Sequence, residues 1–284
     1  MKITIAHPLA FQELGSRQNQ EDALWPALGE ATTADRVFIV CDGMGGHDHG
    51  EVASQAVATA IGNFIAKRLP ANEPLSGDLL DEAIDEAYDE LDRRDNPDDQ
   101  RKMGTTLTLL CLHRGGVTMA HIGDSRIYHL RRGERRTLYI SRDHSLVMDL
   151  YLAGELTRGE MATYERRNII TRAMQPHQGW HSRPDVVHTT DVMPGDIFFL
   201  CSDGVLEKAS DARLADILTA DASDEDILRQ LKDATAAARD NRTAYLLRVV
   251  GVEREPRDAE SPHNEDVSRA NFLVAARKRE EDAE

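Results

Sequence analysis

Cysteine, basic charge and long apolar runs are what this chain is short of, and each shortage excludes something. Only Cys41, Cys111 and Cys201 occur among 284 residues. An odd number of thiols, each inside an apolar run, does not make a disulfide framework and reads as buried packing in a reducing compartment. Cys41 and Cys201 stand one and two residues before acidic motifs, which leaves thiolate ligation of a metal open beside the plainer reading of core packing. No segment approaches the roughly 18 consecutive apolar residues that a membrane span needs. The opening MKITIAHPLAF alternates like a strand and lacks the apolar stretch of a signal peptide. With 34 basic against 50 acidic side chains, the formal net charge of -16 repels phosphate backbones and anionic lipid unless a local basic cluster compensates. Nucleic acid and membrane are therefore not expected partners, and a cytoplasmic enzyme or binding protein is.

What the chain does have is a close succession of strand-like and helix-like segments. Strand patterns fall near residues 2–7, 36–41, 105–112, 117–122, 126–131, 135–140, 184–190, 196–201 and 244–250. Turns such as Arg114-Gly115-Gly116 and Arg132-Gly133-Glu134 favour antiparallel pairing over a repeated βαβ pattern. Helical spacing aligns Val57, Ile61, Phe64 and Arg68 over 51–69, Leu80, Ile84, Ala87 and Leu91 over 78–92, and Ile227, Leu231, Ala234 and Ala238 over 224–239. The acids Asp81, Asp85, Glu86, Asp89 and Glu90 of the second helix read as a solvated face. The length suits one domain over residues 1–252. Its polar stretch 143–180, interrupted by Gly154, Gly159 and Pro176, reads as an elaborated loop or flap over a surface, where specificity is often set. Residues 253–284 read as a charged linker and tail, with a short helix from about Ser268 or fraying as the two options.

The stretch VFIVCDGMGGHDHG, from Val37 to Gly50, poses the chemical question. A run without polar alternation is a strand covered on both faces, where an unpaired charge is costly, yet it ends on Asp42. Apolar runs likewise lead into Asp124 (HIGDSR) and Asp203 (LCSDG), Asp240 precedes the strand AYLLRVV, and Asp22 follows Arg17, Gln18, Asn19, Gln20 and Glu21. Strand ends gather at one edge of a core, and carboxylates that converge there cannot all stay ionised without cations. Mg²⁺ or Mn²⁺ would resolve the repulsion, since hard divalent ions prefer carboxylate and carbonyl oxygens. A water between two such ions readily becomes a nucleophile, and the ions neutralise a phosphoryl group in transfer. Gly43, lacking a Cβ, lets its carbonyl turn toward a metal.

In order, RQNQEDA, VCDGMGGH, GTTLTLL, HIGDSRIY, SRDHSL, NIITRA, LCSDG and RDN resemble the motif series of the metal-dependent protein phosphatases, the type 2C serine/threonine class (PPM family), in its bacterial form. The resemblance covers about residues 10 to 250. It implies an α+β fold, a four-layer αββα sandwich of two central antiparallel sheets flanked by helices, with a dinuclear centre at one end. Position by position, Asp42 resembles the carboxylate bridging both metals and Gly43 the carbonyl ligand. Asp203 and Asp240 match ligands of one ion, Asp22 the acid serving the other, and Glu21 a neighbour that holds metal-bound water. Asp124 matches, with Asp203, a weaker third site in many bacterial relatives, or else caps the turn in GDSR.

Arg17 resembles the arginine that grips the substrate phosphate through its planar fork. The general acid of some relatives directly follows the Asp-Gly pair, where this chain has Met44; His47 stands where bacterial members carry a histidine, with His49 a weaker candidate. Gln175 replaces a usual glycine and RTAYLL a Thr-Val-rich strand, which affects the flap and last strand but no proposed ligand. The implied activity is hydrolysis of phosphoserine and phosphothreonine in proteins by direct attack of a metal-bridging hydroxide, in a monomer that works opposite a serine/threonine kinase. A small phosphorylated metabolite as substrate, or a non-catalytic metal-stabilised binding module, are the competing readings.

Overall fold

The structure is a computed structural model that describes residues 1–45, 49–95 and 102–254. The first half of the described chain forms β1 (Lys2–Ile5), β2 (Leu9–Glu13), β3 (Asp22–Trp25), β4 (Val37–Met44), α1 (His49–Arg68), α2 (Gly77–Arg94), β5 (Gly104–Thr105), β6 (Leu107–His113), β7 (Gly116–Ile122) and β8 (Arg126–Arg131). After it come β9 (Arg136–Ile140), α3 (Leu146–Leu152), α4 (Arg158–Met161), β10 (Asp185–Thr189), β11 (Asp196–Cys201), α5 (Asp203–Leu206), α6 (Asp211–Leu218), α7 (Asp224–Thr235) and β12 (Arg242–Glu253).

Two antiparallel sheets result. One runs β1-β12-β11-β8-β9 with β2 also on β12, the other β10-β7-β6-β4-β3 with β5 on β4. Both faces of each central strand are covered, which explains runs without polar alternation. In β4, Val37, Ile39 and Cys41 pack under α1 and α2, while Phe38 and Val40 face the other sheet. In β11, Phe198 and Leu200 point between the sheets, while Ile197, Phe199 and Cys201 meet Leu214, Leu218, Ile227 and Leu231 of α6 and α7. The layers are therefore helix pair, sheet, sheet, helix pair, the α+β sandwich implied by the motifs. Phe38 and Tyr245 pack edge to face across the middle at 5.4 Å. All three cysteines are buried, free thiols on the helix-facing sides.

Leu80, Ile84, Ala87 and Leu91 form the buried stripe of α2, and Ser76 caps its start by accepting from the Leu79 N–H. Of its acids, Asp85 does more than face solvent, since it binds Arg183 at 2.9 Å and His181 at 3.2 Å. Several short elements escape sequence patterning, among them β2, β3 and α6. The strands β2 and β3 are short and each mixes polar with apolar residues, so neither gives a run. Helix α6 is only eight residues long. Helix α7 ends at Thr235, short of the 239 that its spacing suggested. Beyond it the N–H groups of Arg239 and Asp240 turn to Glu207 Oε2 at 2.7 and 3.3 Å. The region expected to form a short helix from Ser268 lies outside the described residues.

Candidate active site

Asp42 does not terminate its strand. β4 continues to Met44, and Asp42 sits directly opposite Asp22 of β3. Cross-strand partners share a face, and on β4 that face is the inter-sheet one, so the register alone sets two carboxylates side by side at the end of the sandwich. The other acids come from the opposite sheet or its connections: Asp203 opens α5 directly after β11, and Asp240 immediately precedes Asn241 and β12. Asp124 lies between β7 and β8, after Gly123 at φ +103°. One cleft of about 2060 Å³ is lined by Arg17, Glu21, Asp42, Gly43, Asp124, Asp203 and Asp240. Asp22 is buried behind it. His47 lies outside the described residues.

The local backbone is pinned from several directions. The Asp42 N–H donates to Thr106 Oγ1, and the Thr106 N–H and Thr105 hydroxyl both donate to the Asp42 carbonyl, all at 2.9 Å. Asn241 pins the 14–21 loop at three points, accepting from the Glu21 N–H at 2.8 Å and donating to the carbonyls of Leu14 and Asn19. Ser202 donates to Asp22 Oδ2 at 2.7 Å and accepts from the Thr243 N–H at 3.0 Å. At Gly43 a Cβ would lie 2.2 Å from the Gly50 carbonyl oxygen and 2.4 Å from that of Glu21, so close backbone approach demands glycine.

Burial and mutual repulsion raise the carboxyls of Asp22, Asp42, Asp124 and Asp203. Burial, reinforced by Asp203 and Asp240, pushes Asp22 up to about 7. Burial likewise pushes Asp124 up to about 8, with Asp203 adding to the effect. Asp42 is held well above the ordinary carboxylate range by burial and then by Asp22, Asp203 and Asp124, and Asp203 is raised by burial too. The Oδ1 atom of Asp124 is buried without a hydrogen-bond partner. Hard oxygen donors, mutual repulsion and an orphaned carboxylate oxygen are what a divalent-cation site presents, so these residues fit such ions. Arg17, half exposed, points Nη2 at Asp240 Oδ2 at 2.6 Å.

The profile described as "Protein phosphatase 2C" matches residues 14–248. The chain belongs to that family. It is 32% identical over 202 residues to the serine/threonine protein phosphatase PstP of Mycobacterium tuberculosis, covering 71% of this chain and 36% of PstP. This chain thus spans about a third of that relative's length. It is also 32% identical over 186 residues to the protein phosphatase PhpP of Streptococcus pneumoniae, covering 65% of this chain and 73% of PhpP. The crystal structure of PstP superposes with a TM-score of 0.75 at 27% identity, covering 88% of this chain and all of that one. The PstP catalytic domain in complex with two manganese ions gives 0.73 at 29% identity, with the same coverage.

Within this 2C-family chain, sequence reading overlooked Ser202, Thr106 and Glu207, and gave Asn241 no task. Their signal was position: each lies close in sequence or space to a carboxylate whose backbone or side chain it fixes. A second group on the cleft wall was also missed. His121 stacks on His144 at 4.6 Å, and ligand atoms of these two and Asp185 lie within 4.8 Å of one another. His144 Nδ1 accepts the Gly123 N–H at 3.0 Å. A neutral ring therefore carries its proton on Nε2, which is 3.2 Å from Asp185 Oδ2. Burial pushes His144 down to about 4, keeping it neutral. His144 Nε2 and His121 Nδ1 are both buried without a hydrogen-bond partner, so this His-His-Asp group is a second place on the cleft wall whose donors would suit a metal ion.

Proposed function

We propose that this chain is a metal-dependent phosphoprotein phosphatase that hydrolyses phosphoserine and phosphothreonine. The carrying observation is the convergence of Asp22, Asp42, Asp124, Asp203 and Asp240 at one end of the sandwich, with the carboxyls of Asp22, Asp42, Asp124 and Asp203 raised. Two Mn²⁺ or Mg²⁺ ions would be held by the carboxylates of Asp22, Asp42, Asp203 and Asp240 and the Gly43 carbonyl. Glu21 would position water at such ions, and Asp124 with Asp203 would hold a third. When bound, such ions lower the pKa of a shared water, supply it as the nucleophile, and neutralise the phosphoryl oxygens.

The rest is done by this chain's own groups. Ser202 holds the Asp22 carboxylate in place through its hydroxyl. Thr105 and Thr106 hold the Asp42 backbone. Arg17 is aimed at the cleft by its ion pair to Asp240, and its fork transfers to two phosphate oxygens when substrate arrives. Protonation of the leaving serine or threonine oxygen is assigned to His47.

A protein substrate is favoured over a small phosphorylated metabolite by the cleft's size. Its 2060 Å³ exceeds the roughly 300–1,000 Å³ of small-molecule sites and accommodates an extended segment. A purely binding role is disfavoured because mutually repelling buried acids destabilise a fold that has no ions to hold. We assign residues 1–252 as the phosphatase domain, 143–180 as its flap and 253–284 as a tail, in a cytoplasmic monomer acting opposite a serine/threonine kinase. The test is phosphate release from a phosphothreonine peptide with Mn²⁺, and again with chelator. Release that chelator abolishes is expected; none with Mn²⁺, or full release with chelator, overturns the reading.

A further inference from the structure

The flap side of the cleft carries a charge opposite to that of the molecule. In a chain of net charge -16, the stretch 142–183 holds six arginines against five acids. Three of the six are already neutralised or turned away from the cleft: Arg172 binds Asp185 at 2.6 Å, Arg183 binds Asp85 at 2.9 Å, and Arg166 is not among the cleft's lining residues. The other three, Arg142, Arg158 and Arg167, are exposed and line the same cleft as the carboxylate centre. Their side chains make no hydrogen bond or ion pair among the described residues, in contrast to Arg126 deeper in the cleft, which is held by Asp143 and Asp211 at 2.6 Å each. The flap acid Glu160 is engaged within its own turn by the Thr157 N–H and hydroxyl, at 2.8 and 2.7 Å.

Free guanidinium groups beside a trough are ready anion sites. Each can take a carboxylate or phosphate bidentately without first breaking an internal pair. A molecule this acidic otherwise repels an acidic segment, so a local cationic rim decides which segments enter. Resting on the phosphatase reading, we propose that Arg142, Arg158 and Arg167 select substrate segments that carry anionic side chains beside the scissile phosphate. Those anions are carboxylates or further phosphates.

The experiment compares kcat/KM, with Mn²⁺ present, on four phosphothreonine peptides of one length, flanked by Asp, by a second phosphoserine, by Ala or by Lys. The full chain is expected to favour the anionic flanks over Ala about five- to tenfold at low salt, mainly through KM, and to lose the preference as salt is raised. In the triple variant Arg142→Gln, Arg158→Gln, Arg167→Gln the ratio of Asp-flanked to Ala-flanked turnover falls to about one. Because the ratio is taken within one variant, a general loss of activity cancels. The Lys counterpart at all three positions keeps most of the ratio. A preference for the phosphoserine flank alone assigns the rim to clustered phosphosites, and an equal preference for Asp assigns it to acidic sequences. Equal kcat/KM on all four peptides, or a triple variant with an undiminished ratio, overturns this proposal alone. Failure to turn over any peptide overturns the phosphatase reading, and this proposal falls with it.

Discussion

The carboxylate end of the sandwich and the flap beside it are built on opposite terms. At the carboxylate end every acid lies in a strand or just beside one, and hydrogen bonds with Thr105, Thr106, Ser202, Glu207 and Asn241 fix the backbone or carboxylate of the neighbouring acid. The flap holds only two short helices, most of its residues are exposed, and its base is closed by the Ser145–Ile170 bridge. Rigid strand ends suit chemistry that tolerates little displacement. A loosely packed, exposed segment suits recognition, where side chains adapt to what they meet. If this division holds, changes at the strand ends alter turnover of every substrate alike, while changes on the flap alter only the ranking among substrates.

The sharpest way to break the comparison is Asp42→Asn. It removes the charge that two cations would share, so kcat/KM is expected to fall at least about 10³-fold on peptides and on p-nitrophenyl phosphate alike. A fall confined to peptides would show that this end, too, only recognises. Next is Arg17→Ala, which removes a charge-assisted contact with phosphate; about 10- to 100-fold lower kcat/KM is expected on both substrate types. Because Arg17 also pairs with Asp240, Arg17→Lys separates charge from fork geometry. Little recovery by lysine marks bidentate binding, and full recovery marks a charge effect only. Smaller again is Ser202→Ala. Losing the hydroxyl that orients Asp22 is expected to weaken Mn²⁺ binding about tenfold by calorimetry while leaving the far-ultraviolet circular dichroism intact. Unchanged affinity would remove Ser202 from the supporting shell.

How far the sequence carried these inferences follows from where each signal resides. Strands such as β4 and β11, buried on both faces, announce themselves as unbroken apolar runs, and α2 announces itself by its stripe. The short mixed strands β2 and β3 do not, because what defines them is the partner strand. The acids Asp42 and Asp203 were visible as carboxylates following apolar runs. That Asp22 stands across from Asp42 is a matter of register, invisible without the fold. Ser202 reaches Asp22 over 180 residues of chain and Asn241 reaches Glu21 over 220, and no periodicity encodes such pairs. The His121–His144–Asp185 cluster was missed for the same reason, since its members come from β7, the segment after β9, and β10.

The smallest expected effect concerns protons. With Asp22 raised to about 7 and Asp124 to about 8, both carboxyls bind protons more tightly folded than unfolded, where an aspartate sits near 3.9. Their contribution to the stability of the metal-free protein is fully present below about pH 4 and disappears as pH rises through 7 and 8. His113 and His144, lowered to about 4, act with the opposite sign, but only between that value and about 6.5. From about pH 7 to 8, then, the carboxylates dominate, and the melting temperature of chelated protein is expected to fall with rising pH. Cations must displace the same protons, so Mn²⁺ affinity rises with pH over that interval and binding releases protons, measurable by calorimetry in buffers of different ionisation enthalpy. Asp124→Asn should flatten both slopes. Flap variants should change neither, because no flap arginine touches these carboxyls. Parallel slopes in chelated and Mn²⁺-loaded protein would mean that the acids do not give up protons to an ion, and the contrast between a chemical end and a recognition flap would lose its footing.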